Sequence, residues 1–217
     1  MFADADALKA AVLSSDPRAF VSEHLLEKTP FAFAGDGVAW SKYRLLLADK
    51  LDVDPQEVVL MGSAGLGFSL NPKKGLAAFH SGSDFDFGVV SSYHFDLAWR
   101  YLRQSRVRWL SLPGEVKRAI RQHRQNYVFT GTIAANWFLA ILPFGKLWQA
   151  ALDEMGDTDP SLGREISVRI YKDFDSLRFY QAENIRKLRD RLISEESDDI
   201  EEIPITEIEE AMDKDLI

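Results

Sequence analysis

The stretch VVLMGSAGLGFSLNPKKGLAAFHSGSDFDFGVV, residues 58–90, constrains this chain more than any other. It opens with an apolar run, Val58 to Met61, that ends on Gly62-Ser63. It closes with a second apolar run, Phe85 to Val90, entered through Asp84 and Asp86, and a polar, glycine-bearing loop joins the two. Side chains alternate along a strand, so in a strand from Asp84 to Val90 the two aspartates share one face about 6.7 Å apart while Phe85 and Phe87 point into a core. Two carboxylates projecting together at a strand's edge suit a hard divalent cation. Mg2+ accepts one or two carboxylates and completes its shell with water and substrate phosphates.

Three look-alikes are set aside. Gly62 to Ser69 follows the phosphate-loop pattern GxxxxGK[ST] except that Phe68 stands where the lysine must be, which removes the β/γ-phosphate contact. Asp86-Phe87-Gly88 spells the kinase DFG, but no HRD-type catalytic loop precedes it and no GxGxxG lies upstream. A bare DxD also occurs in sugar-nucleotide transferases, and it is the preceding Gly-Ser that makes the pair more specific.

Gly62-Ser63, Gly67 and Ser83-Asp84-Phe85-Asp86 together resemble the signature of the nucleotidyltransferase superfamily of DNA polymerase beta. With SVRIYKDFDSLRFYQ further on, the chain is similar, over roughly residues 40–190, to small stand-alone nucleotidyltransferase-like proteins of bacteria and phages. The resemblance implies metal-dependent transfer of a nucleoside monophosphate from a nucleoside triphosphate to a hydroxyl of a protein, an RNA end or a nucleotide. Asp84 and Asp86 would be catalytic and hold Mg2+ or Mn2+. Gly62, Ser63 and Ser83 would bind the nucleotide, with Lys73 adding charge. The family pattern places a third carboxylate on a later strand, and the aligned position here is Ser167. Glu165 lies on the same face one repeat away and is the expected third metal ligand, with Asp173 at the strand's far end as the other candidate. Without either, the site holds one metal or binds nucleotide without turnover. The alternative function is a catalytically weak nucleotide-binding or partner-binding protein of the same fold, in a defence or toxin–antitoxin type system.

The expected architecture is α/β: a small mixed sheet with flanking helices and a helical C-terminal region. One nucleotidyltransferase-like domain over 1–193, with an N-terminal helical extension, precedes an acidic tail over 194–217. Helical spacing predicts a helix over 4–27 broken at Pro17, one capped by Ser41 and running to Leu51 with Tyr43, Leu46, Leu47 and Leu51 buried, one over 94–103, a basic one over 115–126, and a long amphipathic one over 174–193. Residues 165–171 alternate as a strand with Ile166, Val168 and Ile170 inward. Residues 133–155, interrupted at Pro143, predict a buried helical hairpin or lid, too short and broken to span a bilayer.

The chain has no cysteine, which excludes a disulfide framework and a cysteine-ligated zinc site. With no signal-peptide run or membrane span in view, a cytoplasmic location is expected. The net charge of −8 is unevenly distributed. From Ser194 to Ile217, eleven Asp and Glu stand against Lys214 alone, a net of −10, while the first 193 residues hold 25 Lys and Arg against 23 Asp and Glu, a net of +2. The tail, with Ile200, Ile203, Ile205 and Ile208, reads as a docking segment for a protein partner. Arg100, Arg103, Arg106, Arg108, Lys117, Arg118, Arg121 and Arg124, interleaved with Trp99, Tyr101 and Trp109, read as a solvated helix face or a nucleic-acid face. Tyr180 and Trp137 read as core packing or as base-stacking groups.

Overall fold

The computed structural model describes residues 1–104 and 114–201. Four strands form one mixed sheet: β1 (Val58–Met61), β2 (Phe85–Val90), β3 (Thr132–Ile133) and β4 (Ile166–Tyr171), in the order β1-β2-β4-β3. β2 runs antiparallel to β1 and parallel to β4, and β3 closes the far edge antiparallel to β4. The register places Met61 beside Asp86, Asp86 beside Ser167, Gly88 beside Arg169 and Val90 beside Tyr171. The α/β architecture matches the sequence expectation.

Alternation along β2 and β4 sends two sets of side chains to opposite layers. Phe85, Phe87, Val89, Val168 and Ile170 enter a core with α3 (Gly37–Leu51) and α7 (Gly145–Gly156), joined by Phe95 and Ala98 of α5 (Ser92–Gln104). On the other face Val59, Met61, Val90 and Tyr171 meet α1 (Ala5–Ser14), α2 (Pro17–Val21) and α8 (Phe174–Glu201). In α8 the buried residues Leu177, Gln181, Ile185, Leu188 and Leu192 recur at helical spacing, so one stripe lies on the sheet along a helix about 42 Å long.

The N-terminal elements follow their caps. Asp4 accepts from the Ala7 amide at 2.8 Å to start α1. Asp16 accepts from the amides of Arg18 and Ala19, and Pro17 opens α2, so the expected break at Pro17 is present. A π-helical turn, Ser22–Leu26, completes the segment. Arg189 of α8 then donates from Nε at 2.8 Å and from Nη2 at 2.7 Å to the Val12 carbonyl, and also to the carbonyl of Ser15. A cation thus satisfies the free carbonyls at the end of α1, where the helix dipole is negative.

Several local expectations are corrected. The cap of α3 is Asp36, whose Oδ1 accepts from the Val38 and Ala39 amides, so the helix begins four residues before Ser41. Tyr43, Leu47 and Leu51 are buried as expected, but Leu46 is 41% exposed, and Trp40 and Ala48 complete the stripe. Residues 133–155 are not a helical hairpin. Ile133 belongs to the edge strand β3, two 3-10 turns follow, and only α7 is helical. Its Trp148 indole donates to the Leu51 carbonyl at 3.1 Å, tying α7 to the end of α3. The expected basic helix is α6 (Gly114–Asn126), and Arg100, Arg103, Arg118 and Arg121 are exposed, with the Arg103 guanidinium 4.4 Å over the Trp99 ring. Arg106, Arg108, Trp109 and the tail beyond Glu201 lie outside the described residues, as do the side chains of Arg124, Trp137 and Ile200. Among the described residues no helix is long and apolar enough to cross a membrane.

His123 of α6 is buried, its Nε2 3.1 Å from the Thr132 carbonyl and its ring edge-on to Phe138. Burial, with Arg169 nearby, pushes its pKa down to about 4, although the Thr132 carbonyl favours the protonated ring. The unfolded chain takes up this proton near pH 6.5 and the folded chain does not. Its contribution is therefore complete above pH 6.5 and is lost as pH falls from 6.5 to 4, by about 3 kcal/mol at most. His123→Gln, which keeps a donor but does not titrate, should show a flatter dependence of the urea midpoint on pH over that window than the unaltered chain.

Candidate functional site

The site begins where β1 ends. Gly62 has a φ of +62°, and a β-carbon on it would lie 2.9 Å from Oδ2 of Asp86. Only a glycine turns the chain there while letting the backbone approach that carboxylate. Gly62 leads into the single helical turn α4 (Gly62–Leu66), which carries the half-buried Ser63.

Asp86 faces the α8 side of the sheet. On its other flank Ser167 donates from Oγ to Asp86 Oδ1 at 2.5 Å. Two residues further along the same face stands Arg169, beside Gly88. Its Nη1 donates to the Tyr180 hydroxyl at 2.6 Å, and its guanidinium lies 4.7 Å over the Tyr180 ring and 5.4 Å over that of Tyr127. The next residue on this face, Tyr171, is fully buried, and Gln181 donates from Nε2 to its hydroxyl at 3.0 Å and to the Met61 sulfur at 3.0 Å. Burial pushes the Tyr171 and Tyr180 phenols above their ordinary range, so both are neutral at neutral pH. The face thus passes from anionic to cationic to apolar within three strand repeats. Between its first two steps and α8 lies a cavity of about 350 Å³, lined by Gly62, Asp86, Ser167, Arg169, Tyr180 and Lys187 among others.

Of the other residues singled out in the sequence, Asp84, Glu165, Asp173, Lys73 and Ser83 are not part of the cavity lining. Asp84 precedes β2 and is exposed, whereas Asp86 is half-buried, so the two aspartates differ in surroundings. Glu165 is exposed too, and its carbonyl accepts from the Phe85 amide at 2.9 Å. Asp173 caps α8, accepting from the Ser176 amide and hydroxyl at 2.7 Å each; these bonds, the amide's first, hold its carboxyl below the usual range. Lys73 is exposed in a 3-10 turn, Pro72–Lys74, whose neighbours Asn71 and Pro72 reach the cavity wall. Ser83 accepts at Oγ from the His80 amide at 3.0 Å, and Arg164 Nη1 donates to the carbonyls of His80 and Ser83 at 2.7 and 2.8 Å. Ser83 therefore shapes the loop entering β2.

Among the described residues no three or more His, Asp or Glu side chains gather as a metal cluster. Asp86, with Ser167 beside it, and exposed Asp84 supply two carboxylates, the number that one Mg2+ accepts when water and phosphate complete its shell. Arg169, Lys187, Gln181 and Asn184 were not identified as site residues from the sequence. The available signal was Arg169 on the outward face of an alternating strand, with Tyr180, Asn184 and Lys187 at positions i, i+4 and i+7 of the following helix. No protein-family model, curated protein or solved structure matches the chain.

Gly62→Ala would force a positive φ on alanine and drive its methyl against Asp86. A loss of about 1–3 kcal/mol in urea unfolding is expected.

Proposed function

We propose that the chain binds a nucleoside triphosphate with one divalent cation at Asp84 and Asp86, as a nucleotidyltransferase-like protein in which nucleotide binding is strong and transfer weak. The observation that carries this reading is the pairing of Asp86 with Ser167, a hydroxyl that donates to the aspartate at 2.5 Å from the position where a further anion would complete a two-metal site. Holding two divalent ions close together calls for several carboxylates. One Mg2+ needs no more than one or two. When bound, the cation would neutralise phosphate charge and orient the chain of phosphates. Gly62 keeps the backbone close to Asp86, half-buried Ser63 would add a hydroxyl beside it, and exposed Lys73 would supply positive charge from the turn whose Pro72 lines the cavity.

A second reading, full transfer to a hydroxyl of a protein, an RNA end or a nucleotide, is favoured by one observation. The Phe85 amide donates to the Glu165 carbonyl, so exposed Asp84 and exposed Glu165 flank the same junction of β2 and β4. Were the strand alternation to continue one residue outward on each strand, both side chains would share the face that carries Asp86 and Ser167.

Titration of each nucleoside triphosphate into the protein, with Mg2+ and then with EDTA, tests the first reading. Asp86→Asn should weaken the Mg2+-dependent binding at least tenfold, and Ser167→Asp should raise transfer of label from the nucleotide to acceptors in a lysate. Rapid transfer by the unaltered chain, abolished in Glu165→Gln, would replace the first reading with the second.

A further inference from the structure

Arg169 carries a charge that has no ion-pair partner among the described residues. It rises from β4 beneath α8, half-buried, and the groups around its guanidinium are phenols: the Tyr180 hydroxyl at 2.6 Å and the rings of Tyr180 and Tyr127. Among the described residues no carboxylate forms an ion pair with it. Ring faces attract a cation but do not neutralise it, and a guanidinium withdrawn from water is best compensated by a hydrogen-bonded anion.

The cavity it faces offers room for one. Lys187, exposed on α8 and likewise without an ion pair among the described residues, lines the opposite wall. Asn184 and Asn136 add amide groups to the lining. Asp86 is the one carboxylate there among the described residues, and it already accepts from Ser167. It stands two residues along the strand from the level of Arg169, about 6.7 Å away by strand rise. An anion held between the two cations therefore has its negative neighbour at the far end. The guanidinium fork matches two oxygens of a tetrahedral phosphoryl group, and the ammonium acts as a point charge on a third.

We propose that the cavity between β4 and α8 is a phosphoryl-binding subsite, gripped by Arg169 from the sheet and Lys187 from the helix. It rests on the proposed function only for the source of the phosphoryl group, which is either the bound nucleotide's own phosphates or a second phosphorylated molecule.

Calorimetric titration of the full chain with inorganic pyrophosphate in EDTA, at fixed ionic strength, reads this subsite without the cation that Asp84 and Asp86 would hold. One equivalent should bind. Lys187→Met should weaken it at least fivefold, and Arg169→Lys, which keeps the charge but loses the fork, at least tenfold. Lys187 is exposed, so its variant keeps the test decisive if Arg169→Lys fails to fold. Absence of pyrophosphate binding, or equal binding by Lys187→Met, would overturn the proposal. A second titration into protein saturated with nucleoside triphosphate and Mg2+ separates the sources: competition assigns the subsite to the nucleotide's phosphates, and an additional equivalent assigns it to a second molecule. Loss of Mg2+-dependent nucleotide binding alone, with pyrophosphate binding intact, would remove the proposed function and leave the subsite standing.

Discussion

β2 is hydrogen-bonded on both edges and covered on both faces, and every residue along it must satisfy that enclosure. Its phenylalanines do so by burial in the α3 and α7 layer. On the other face a carboxylate is admitted at Asp86 only because β4 presents a donor directly beside it and the residue that follows β1, Gly62, has no side chain. The parallel pairing with β4 is decisive, since a slip of one residue would exchange Ser167 and Arg169 for Ile166 and Val168 on that face. A buried carboxylate among aliphatic side chains would carry a large desolvation cost.

The boundary between site and core lies at Gln181 and Tyr171. Gln181 is buried and links the Tyr171 hydroxyl to the Met61 sulfur, closing the apolar part of the face. Gly88 makes this possible, because a β-carbon there would lie 3.0 Å from the Tyr171 ring and 3.1 Å from the Met61 sulfur. On one side of that line α8 packs leucines and isoleucine, and on the other it presents Tyr180, Asn184 and Lys187 to the cavity.

Much of this was legible in the sequence because period-two and helical spacings report directly on burial. Phe85, Phe87, Val168 and Ile170 point where alternation places them, and the absence of a carboxylate at Ser167 translates into a specific neighbour for Asp86. The start of α3 was misread because Ser41 and Asp36 are both good caps, and the choice depends on where Phe33 and Trp40 meet. The segment after residue 133 was misread because a run of large apolar residues has no period of its own, and Ile133 is recruited as an edge strand by pairing with Ile170. Arg169 was invisible as a site residue for a different reason. An arginine on the outer face of a strand is ordinarily solvated, and it becomes a half-buried cation only because the next helix folds back across it.

That helix is held partly by the other end of the chain. Arg189 binds the last carbonyls of α1, and α2 packs along α8, so the roof over Arg169 is fastened to residues near the N-terminus. A molecule bound in the cavity would be thermodynamically linked to the order of those first helices. Loosening the clasp at Val12 and Ser15 would weaken the seating of α8 without touching a single group that lines the cavity, so the first helices bear on the interior from a distance.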